Sequence, residues 1–141
     1  MDRRLWNLIK DYQRRVADAV AMLEAAGIPR PSSTTAWVES HDFGRMQLSN
    51  GFQAYKHGFG CSVDGPEWGV DFDFGASGQI DGFDAWRLYD FARRRLREYE
   101  FASEEEIKSA VSLAAEAGDL EFSGYILYYV TDAGRRAVDA V

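Results

Sequence analysis

The feature that most constrains the fold is a change of sequence pattern along the chain. Between residues 34 and 83, glycines recur and aromatic and β-branched residues gather in short runs, whereas the segments on either side repeat apolar residues at helical spacing. Short apolar runs separated by turn residues are typical of antiparallel strands, and helical spacing indicates amphipathic helices. We therefore predict an α+β fold, with an N-terminal helix, an antiparallel β-meander, and further helices with a C-terminal hairpin.

The first half of the chain is predicted to form one long helix followed by the meander. Apolar residues recur at helical spacing over residues 2–26, and Gly27 and the prolines that follow it end the helix. The meander is expected to contain about four or five strands, because turn residues separate the apolar runs. These runs cover residues 36–38, 52–55, 59–63, 68–74 and 79–83.

The second half is predicted to be mainly helical. Asp84 is a suitable N-cap for one helix, and Ser103 with Glu106 forms a capping-box pattern at the start of the next. Gly118 is placed to end that helix. The remaining predicted elements are a hairpin of residues 120–122 and 125–130, with its turn at residues 123–124, and a final helix capped by Thr131.

Length and composition favour one cytoplasmic domain over residues 1–141. The chain is 46% hydrophobic, which is enough for a packed core. Its single cysteine, Cys61, excludes an intramolecular disulfide. No apolar run approaches the roughly 20 residues that span a bilayer, and the first residues lack the pattern of a signal peptide. We therefore expect no association with a membrane.

The formal net charge of −7 bears on the choice of partner. A field of this sign repels nucleic acid and anionic membranes and attracts basic proteins. Solubility is the simpler explanation of the charge, because many soluble proteins are acidic. If the charge serves binding, it favours a basic protein partner and disfavours nucleic acid.

The densest group of ionisable residues lies in a predicted hairpin over residues 69–84. Alternation along a strand places Asp71 and Asp73 on one face and the apolar residues between them on the other. A three-residue turn at residues 76–78 would put Asp81 opposite Asp73. Because two like charges directly opposed are unfavourable, we expect a compensating group beside them.

Three interpretations of these carboxylates remain open. The simplest is a solvated polar face, with Asp84 only capping the following helix. A cationic side chain is the second, from Arg87, Arg45 or a partner protein, and a divalent cation such as Mg²⁺ or Ca²⁺ is the third. We assign no metal ion and no cofactor. We predict partner binding by four acidic side chains, Asp71, Asp73, Asp81 and Asp84.

The other candidates for chemistry are the two histidines and the cysteine. His57 and Cys61 lie on either side of a predicted tight bend, and such a pair could act as base and nucleophile. Structural roles are favoured for both and for His41, because nothing in the sequence indicates a lowered pKa of the thiol. No zinc pattern, phosphate-binding loop or nucleophile elbow occurs. We therefore expect a binding protein rather than an enzyme, and we assign no catalytic residue.

Three runs within residues 57–88 resemble the core of a family of uncharacterised bacterial proteins. The resemblance covers under a quarter of the chain and implies no particular activity. In size, charge and composition, the chain is similar to immunity proteins that neutralise toxins delivered between competing bacteria. The runs are His57-Gly58-Phe59-Gly60-Cys61, Val70-Asp71-Phe72-Asp73-Phe74-Gly75 and Asp81-Gly82-Phe83-Asp84-Ala85-Trp86-Arg87-Leu88.

A second resemblance, at the C-terminal end, is to winged-helix proteins. Residues 117–121 and 128–137 resemble a helix end, a wing and the return into a final helix, and the two preceding helices could form a helix-turn-helix. The recognition helix would open with three glutamates at residues 104–106, whereas proteins that read DNA need basic residues against phosphate. The resemblance therefore favours packing or protein binding over DNA binding.

The sequence leaves three hypotheses of function. The leading one is a protein-binding module, an immunity-type inhibitor that neutralises a bacterial toxin by direct binding, with a basic toxin domain as its partner. The first alternative is nucleic-acid binding through the winged-helix-like end. The second alternative is a metal-dependent hydrolase that uses Asp71, Asp73 and Asp81.

Overall fold

The computed structural model describes residues 1–30, 32–33, 44–123 and 127–139. Its contacts group the chain into two compact units. The sheet unit is Gln13–Gly82, and the helical unit combines Met1–Tyr12 with Phe83–Val141. The α+β class is confirmed, since a helix precedes a four-stranded antiparallel sheet, and helices with a strand hairpin follow it. The single domain over residues 1–141 stays a prediction.

Helix α1, Arg3–Ala25, confirms the predicted N-terminal helix and contributes residues to both units. At its start, the carboxylate of Asp2 accepts a hydrogen bond of 2.8 Å from the backbone N–H of Arg4. Gly27 follows its end with φ of +93°, a conformation that favours glycine. Its buried stripe has the predicted helical spacing and consists of Leu5, Leu8, Ile9, Tyr12, Val16, Ala19, Val20 and Leu23.

The sheet unit contains the predicted meander. Its four strands lie in sequence order, each antiparallel to the next. Two details differ from the prediction: the first strand at residues 45–47 was not expected, and residues 79–82 form no strand. The strand predicted at residues 36–38 lies outside the described residues. The strands are β1 Arg45–Gln47, β2 Gln53–His57, β3 Gly60–Asp64 and β4 Gly69–Asp73.

The sheet has one apolar and one polar face, as alternation along its strands requires. The apolar face is buried and forms much of the core of this unit, so the register of every strand is strongly specified. Asp73 pairs with Gly60 of β3, and β4 has no further strand partner among the described residues. The buried residues of the apolar face are Ala54, Cys61, Val63, Val70 and Phe72.

Helix α2, Ala85–Ala92, belongs to the helical unit. It is shorter than the apolar pattern of the sequence after Asp84 indicates. The chain continues as 3-10 turns over Arg93–Tyr99, with a break in helical geometry at Arg95, where φ is −140°. These turns place the Tyr99 hydroxyl to donate a hydrogen bond of 2.8 Å to the carboxylate of Asp11. Four arginines, Arg93, Arg94, Arg95 and Arg97, therefore lie on turns that connect two helices.

Helix α3, Glu104–Glu116, starts with the predicted capping box. The Ser103 hydroxyl accepts a hydrogen bond from the Glu106 N–H, and the Glu106 carboxylate accepts one of 2.9 Å from the N–H of Ala102. Gly118 ends the helix as predicted, with φ of +82°. The acidic first turn of α3 is favourable, because the N-terminal end of a helix dipole is positive.

The C-terminal hairpin is confirmed, with β5 Leu120–Phe122 paired to β6 Tyr128–Val130, while its predicted turn falls partly outside the described residues. The final helix, α4, covers Asp132–Asp139. Thr131 caps it as predicted, since its hydroxyl accepts a hydrogen bond of 2.9 Å from the Gly134 N–H. Among the helices of the described residues, none is long and apolar enough to cross a membrane.

Candidate functional site

The polar face of the sheet brings together side chains from β2, β3 and β4. One row across the strands contains Tyr55, Ser62 and Asp71. The row next to it contains His57, Gly60 and Asp73. Side chains in one row or in adjacent rows of the same face are within reach of one another. The row of His57, Gly60 and Asp73 lies next to the β2–β3 turn, and its central residue, Gly60, has no side chain.

Gly60 creates the space that this site requires. Its cross-strand neighbours are His57 on one side and Asp73 on the other. A Cβ atom at Gly60 would overlap the Asp73 carboxylate and the backbone oxygen of Phe72. The Asp73 carboxylate therefore lies over β3, in the position that a side chain of residue 60 would occupy.

Asp71 differs from its prediction, because it is buried rather than solvated. Only 7% of the residue is exposed. The Ser62 hydroxyl, directly opposite on β3, donates a hydrogen bond of 2.8 Å to Asp71 Oδ2. The Nε2 atom of His57 also lies 2.8 Å from Asp71 Oδ2, without the alignment of a hydrogen bond. A buried carboxylate needs such partners, since an isolated charge is costly to remove from water.

Three ligand-type atoms therefore converge at the β2–β3 end of this face. One atom each from His57, Asp71 and Asp73 lies within 4.8 Å of the other two. Sequence reasoning grouped the two aspartates but missed His57 as their neighbour. The short spacing from His57 to Gly60 could have indicated this neighbour, because it is typical of a tight hairpin. In that hairpin His57 pairs with Gly60, and Gly60 pairs in turn with Asp73. We name this group the His57 cluster, comprising His57, Asp71 and Asp73.

Asp81 does not join the cluster in the predicted way. A tight turn closes after β4, with hydrogen bonds from Gly75 N–H to Gln79 O (2.8 Å) and from Gly78 N–H to Gly75 O (2.9 Å). The chain after this turn does not return along β4, so the prediction that Asp81 lies opposite Asp73 is wrong. Asp81 is exposed, and its backbone oxygen accepts a hydrogen bond of 2.8 Å from Gln13 Nε2.

Asp84 belongs to the helical unit and acts as the predicted helix cap. Its carboxylate accepts a hydrogen bond of 2.8 Å from the Arg87 N–H and forms an ion pair of 2.7 Å with the Arg87 guanidinium. Arg87 is buried, with 8% exposed. The other arginine considered as a compensating cation, Arg45, stacks over Tyr55 with 5.2 Å from its guanidinium carbon to the ring centroid.

Cys61 is not placed for nucleophilic chemistry. It is fully buried on the apolar face of the sheet, opposite Phe72 on the neighbouring strand. Burial raises the pKa of its thiol to about 12, because the thiolate would lose its hydration. The structural role predicted for Cys61 therefore agrees with its position. His41 lies outside the described residues.

Two aromatic side chains are exposed, one on the polar face of the sheet and one in the β2–β3 turn. Tyr55 is 47% exposed and Phe59, in the β2–β3 turn, is 57% exposed. The Tyr55 and His57 rings lie 6.1 Å apart. Beside Tyr55, a depression of about 200 Å³ is lined by residues that include Ser62 and Asp64. Sequence reasoning missed both aromatic residues, because strand alternation alone does not reveal which aromatic side chains face water.

A cavity of about 570 Å³ lies in the helical unit, between the first turn of α1 and one side of α3. Several of its charged groups already pair with one another. The Arg4 guanidinium lies 2.9 Å from the Asp2 carboxylate and 3.8 Å from that of Glu106. The same guanidinium covers the Phe101 ring at 4.4 Å. This cavity is therefore explained by packing between local groups.

Comparison with known proteins identifies one related family. A protein-family model described as a domain of unknown function (DUF6896) matches residues 5–130. The match extends over α1, the whole sheet and the chain as far as β6. No curated protein matches the chain, and no solved structure matches it.

Proposed function

The chain belongs to the DUF6896 family, whose function is unknown, and from its own geometry we propose that it is a protein-binding module. More specifically, we propose an immunity-type inhibitor that neutralises a bacterial toxin by binding it directly. The observation that carries the proposal is the exposure of Tyr55, which lies on the sheet's polar face with the carboxylates, and of Phe59 in the adjoining β2–β3 turn.

The aromatic side chains supply the apolar part of this surface. Tyr55 and Phe59 are among the few large hydrophobic side chains that the described residues leave exposed. Aromatic residues are enriched in protein–protein interfaces and are frequent among the residues that contribute most to affinity. A single exposed aromatic residue needs no explanation, but two at one hairpin whose polar face also carries carboxylates have the composition of a binding surface.

The carboxylates supply the charge of this surface. Asp73 is half-buried and Asp64 is exposed on the same face. With a net charge of −7 on the whole chain, the surface favours a basic partner, because complementary charge speeds encounter and excludes wrong partners. Asp71 is too buried to contact a partner directly, and its role in the proposal is to hold His57 in place.

The four predicted partner-binding residues are therefore revised in this proposal. Asp73 stays on the proposed surface, and Asp81 stays a proposed partner-binding residue of the same unit, exposed but outside that surface. Asp71 becomes a supporting residue, and Asp84 is explained by its cap and its ion pair with Arg87. We name the resulting surface the acidic aromatic face, comprising Tyr55, Phe59, Asp64 and Asp73.

Co-expression with the product of the neighbouring gene tests the proposal. We expect that product to stop the growth of a host that makes it alone, and growth to return when this chain is made with it. The two purified proteins should elute together in size-exclusion chromatography. Persistent growth arrest at equal expression, with separate elution of the two proteins, would contradict the proposal.

A further inference from the structure

We propose that the His57 cluster binds one divalent transition-metal ion, such as Zn²⁺ or Mn²⁺, through His57 Nε2 and one oxygen each of Asp71 and Asp73. These three atoms come from two strands that are separated by β3, and all lie within 4.8 Å of one another. The inference concerns the chemistry of the face itself and does not depend on the proposed toxin partner.

The sheet register assembles the three side chains. His57 and Asp73 are the neighbours of Gly60 on its two sides, and the missing side chain of Gly60 opens a path between them. The Asp73 carboxylate already occupies part of that path, since a Cβ at residue 60 would overlap it. Glycine in a strand interior often marks such a close approach.

Asp71 is held in a fixed position before any ion binds. Its Oδ2 atom accepts the hydrogen bond of 2.8 Å from Ser62, and little of the residue is exposed. A hydrogen bond to a ligating carboxylate from a neighbouring side chain is a regular feature of metal sites, where it orients the ligand. Ser62 therefore has the position of a supporting residue.

The separation between His57 Nε2 and Asp71 Oδ2 also fits two ligands of one ion. Adjacent ligands that each bond a metal at about 2.0–2.2 Å lie roughly 2.8–3.1 Å apart in octahedral geometry and roughly 3.3–3.6 Å apart in tetrahedral geometry, so the 2.8 Å suits the first and must widen for the second. Asp73 completes the set with a movement of about 1–2 Å, which a half-exposed side chain permits.

The donor set selects the class of ion. An imidazole nitrogen is a ligand for Zn²⁺ and other transition metals, whereas Ca²⁺ and Mg²⁺ prefer oxygen atoms alone. Two carboxylates balance the charge of a divalent ion, and the ion in turn compensates for their repulsion. Three protein ligands leave at least one coordination position for water or for a group of a bound molecule.

Calorimetric titration of the full chain with ZnCl₂ and, separately, with MnCl₂ tests this proposal. We expect saturable binding of one ion per chain for at least one of them. Asp73→Asn and His57→Gln should each weaken binding by at least about tenfold. Asp64→Asn is the matched control, because Asp64 is on the same face and its carboxylate also lies over a glycine, Gly69, yet it is not in the cluster. It should bind as the wild type does.

Circular dichroism shows whether each variant is folded, and the imidazole resonances of His57 give a second readout. In the wild type and in Asp64→Asn, these resonances should shift on binding of Zn²⁺ or broaden on binding of the paramagnetic Mn²⁺. The proposal is overturned if neither ion gives saturable binding up to about 1 mM, an affinity too weak for a built site. It is also overturned if His57→Gln binds as the wild type does, or if Asp64→Asn weakens binding as much as Asp73→Asn.

Discussion

The imidazole of His57 reaches across strand β3 to the carboxylate of Asp71, with 2.8 Å between His57 Nε2 and Asp71 Oδ2. The two residues lie on β2 and β4, which do not pair with each other. A side chain at Gly60 would stand in the row between His57 and Asp73 and would obstruct this end of the face. The polar face therefore depends on one glycine as much as on its ionisable residues.

Replacement of Gly60 by alanine should destabilise the chain by about 1–3 kcal/mol. The added Cβ would overlap the backbone oxygen of Phe72, which has little freedom to move within the sheet. Urea denaturation measures the change. Gly58→Ala is the control, because an added Cβ at Gly58 would meet open space. Its only expected effect is the backbone strain of a φ of +48°, which should lower the free energy of unfolding by about 1 kcal/mol. A smaller loss for Gly60→Ala than for Gly58→Ala would contradict the account.

Replacement of Ser62 by alanine should lower the free energy of unfolding by about 1.5–3 kcal/mol. The variant removes a hydrogen bond of 2.8 Å to the carboxylate of Asp71, which is a buried acceptor. Ser77→Ala is the control, because it removes a hydrogen bond of 2.7 Å from the Ser77 hydroxyl to Gln79 Oε1 at an exposed turn. It should change the free energy of unfolding by less than about 0.5 kcal/mol. Equal effects of the two variants in urea denaturation would show that Ser62 does not support Asp71.

The Cys61 thiol should resist thiol reagents in the folded chain up to about pH 10. Burial raises the pKa of this thiol from its ordinary 9.0 to about 12, so little thiolate forms. The folded chain then retains the proton more tightly than the unfolded chain does. The resulting stability is complete below pH 9.0 and declines as the pH rises from 9.0 to about 12.

Ellman's reagent checks the reactivity of Cys61, and urea denaturation at several pH values checks the stability. The thiol should react promptly in urea and slowly without it at pH 8. Prompt reaction of the folded chain at pH 8 would contradict the burial of Cys61 on the apolar face.

Replacement of Thr131 by alanine should destabilise the helical unit by about 1–2 kcal/mol. The Thr131 hydroxyl donates a hydrogen bond of 2.7 Å to the Gly118 oxygen and accepts one of 2.9 Å from the Gly134 N–H. It thus connects the end of α3 to the start of α4. Thr131→Ser keeps the hydroxyl and should retain most of the stability in thermal denaturation; a loss as large as that of Thr131→Ala would exclude a capping role.

The sequence predicted the elements that local pattern controls. Helical spacing located α1, the Ser103 capping box located the start of α3, and Gly118 marked its end. These signals act within a few residues of the chain and do not depend on long-range packing. The three strands predicted within residues 52–74 were found for the same reason and correspond to β2, β3 and β4.

The site depended on information that local pattern does not contain. Asp81 was placed opposite Asp73 because a turn at residues 76–78 is compatible with a hairpin, but the chain leaves β4 after that turn. His57 was not grouped with Asp71 because their proximity results from pairing through β3. Burial of Asp71 could not be predicted from alternation, which assigns a face but not the exposure of that face.

The central claim is that the acidic aromatic face binds a protein partner, and the dissociation constant for the product of the neighbouring gene, which we propose as that partner, tests it most directly. Phe59→Ala and Phe122→Ala form a matched pair, since the two side chains are 57% and 56% exposed and lie in different units. We expect Phe59→Ala to weaken binding by about tenfold or more and Phe122→Ala to leave it within about twofold. Equal dissociation constants for wild type and Phe59→Ala, or a larger loss for Phe122→Ala, would contradict the claim.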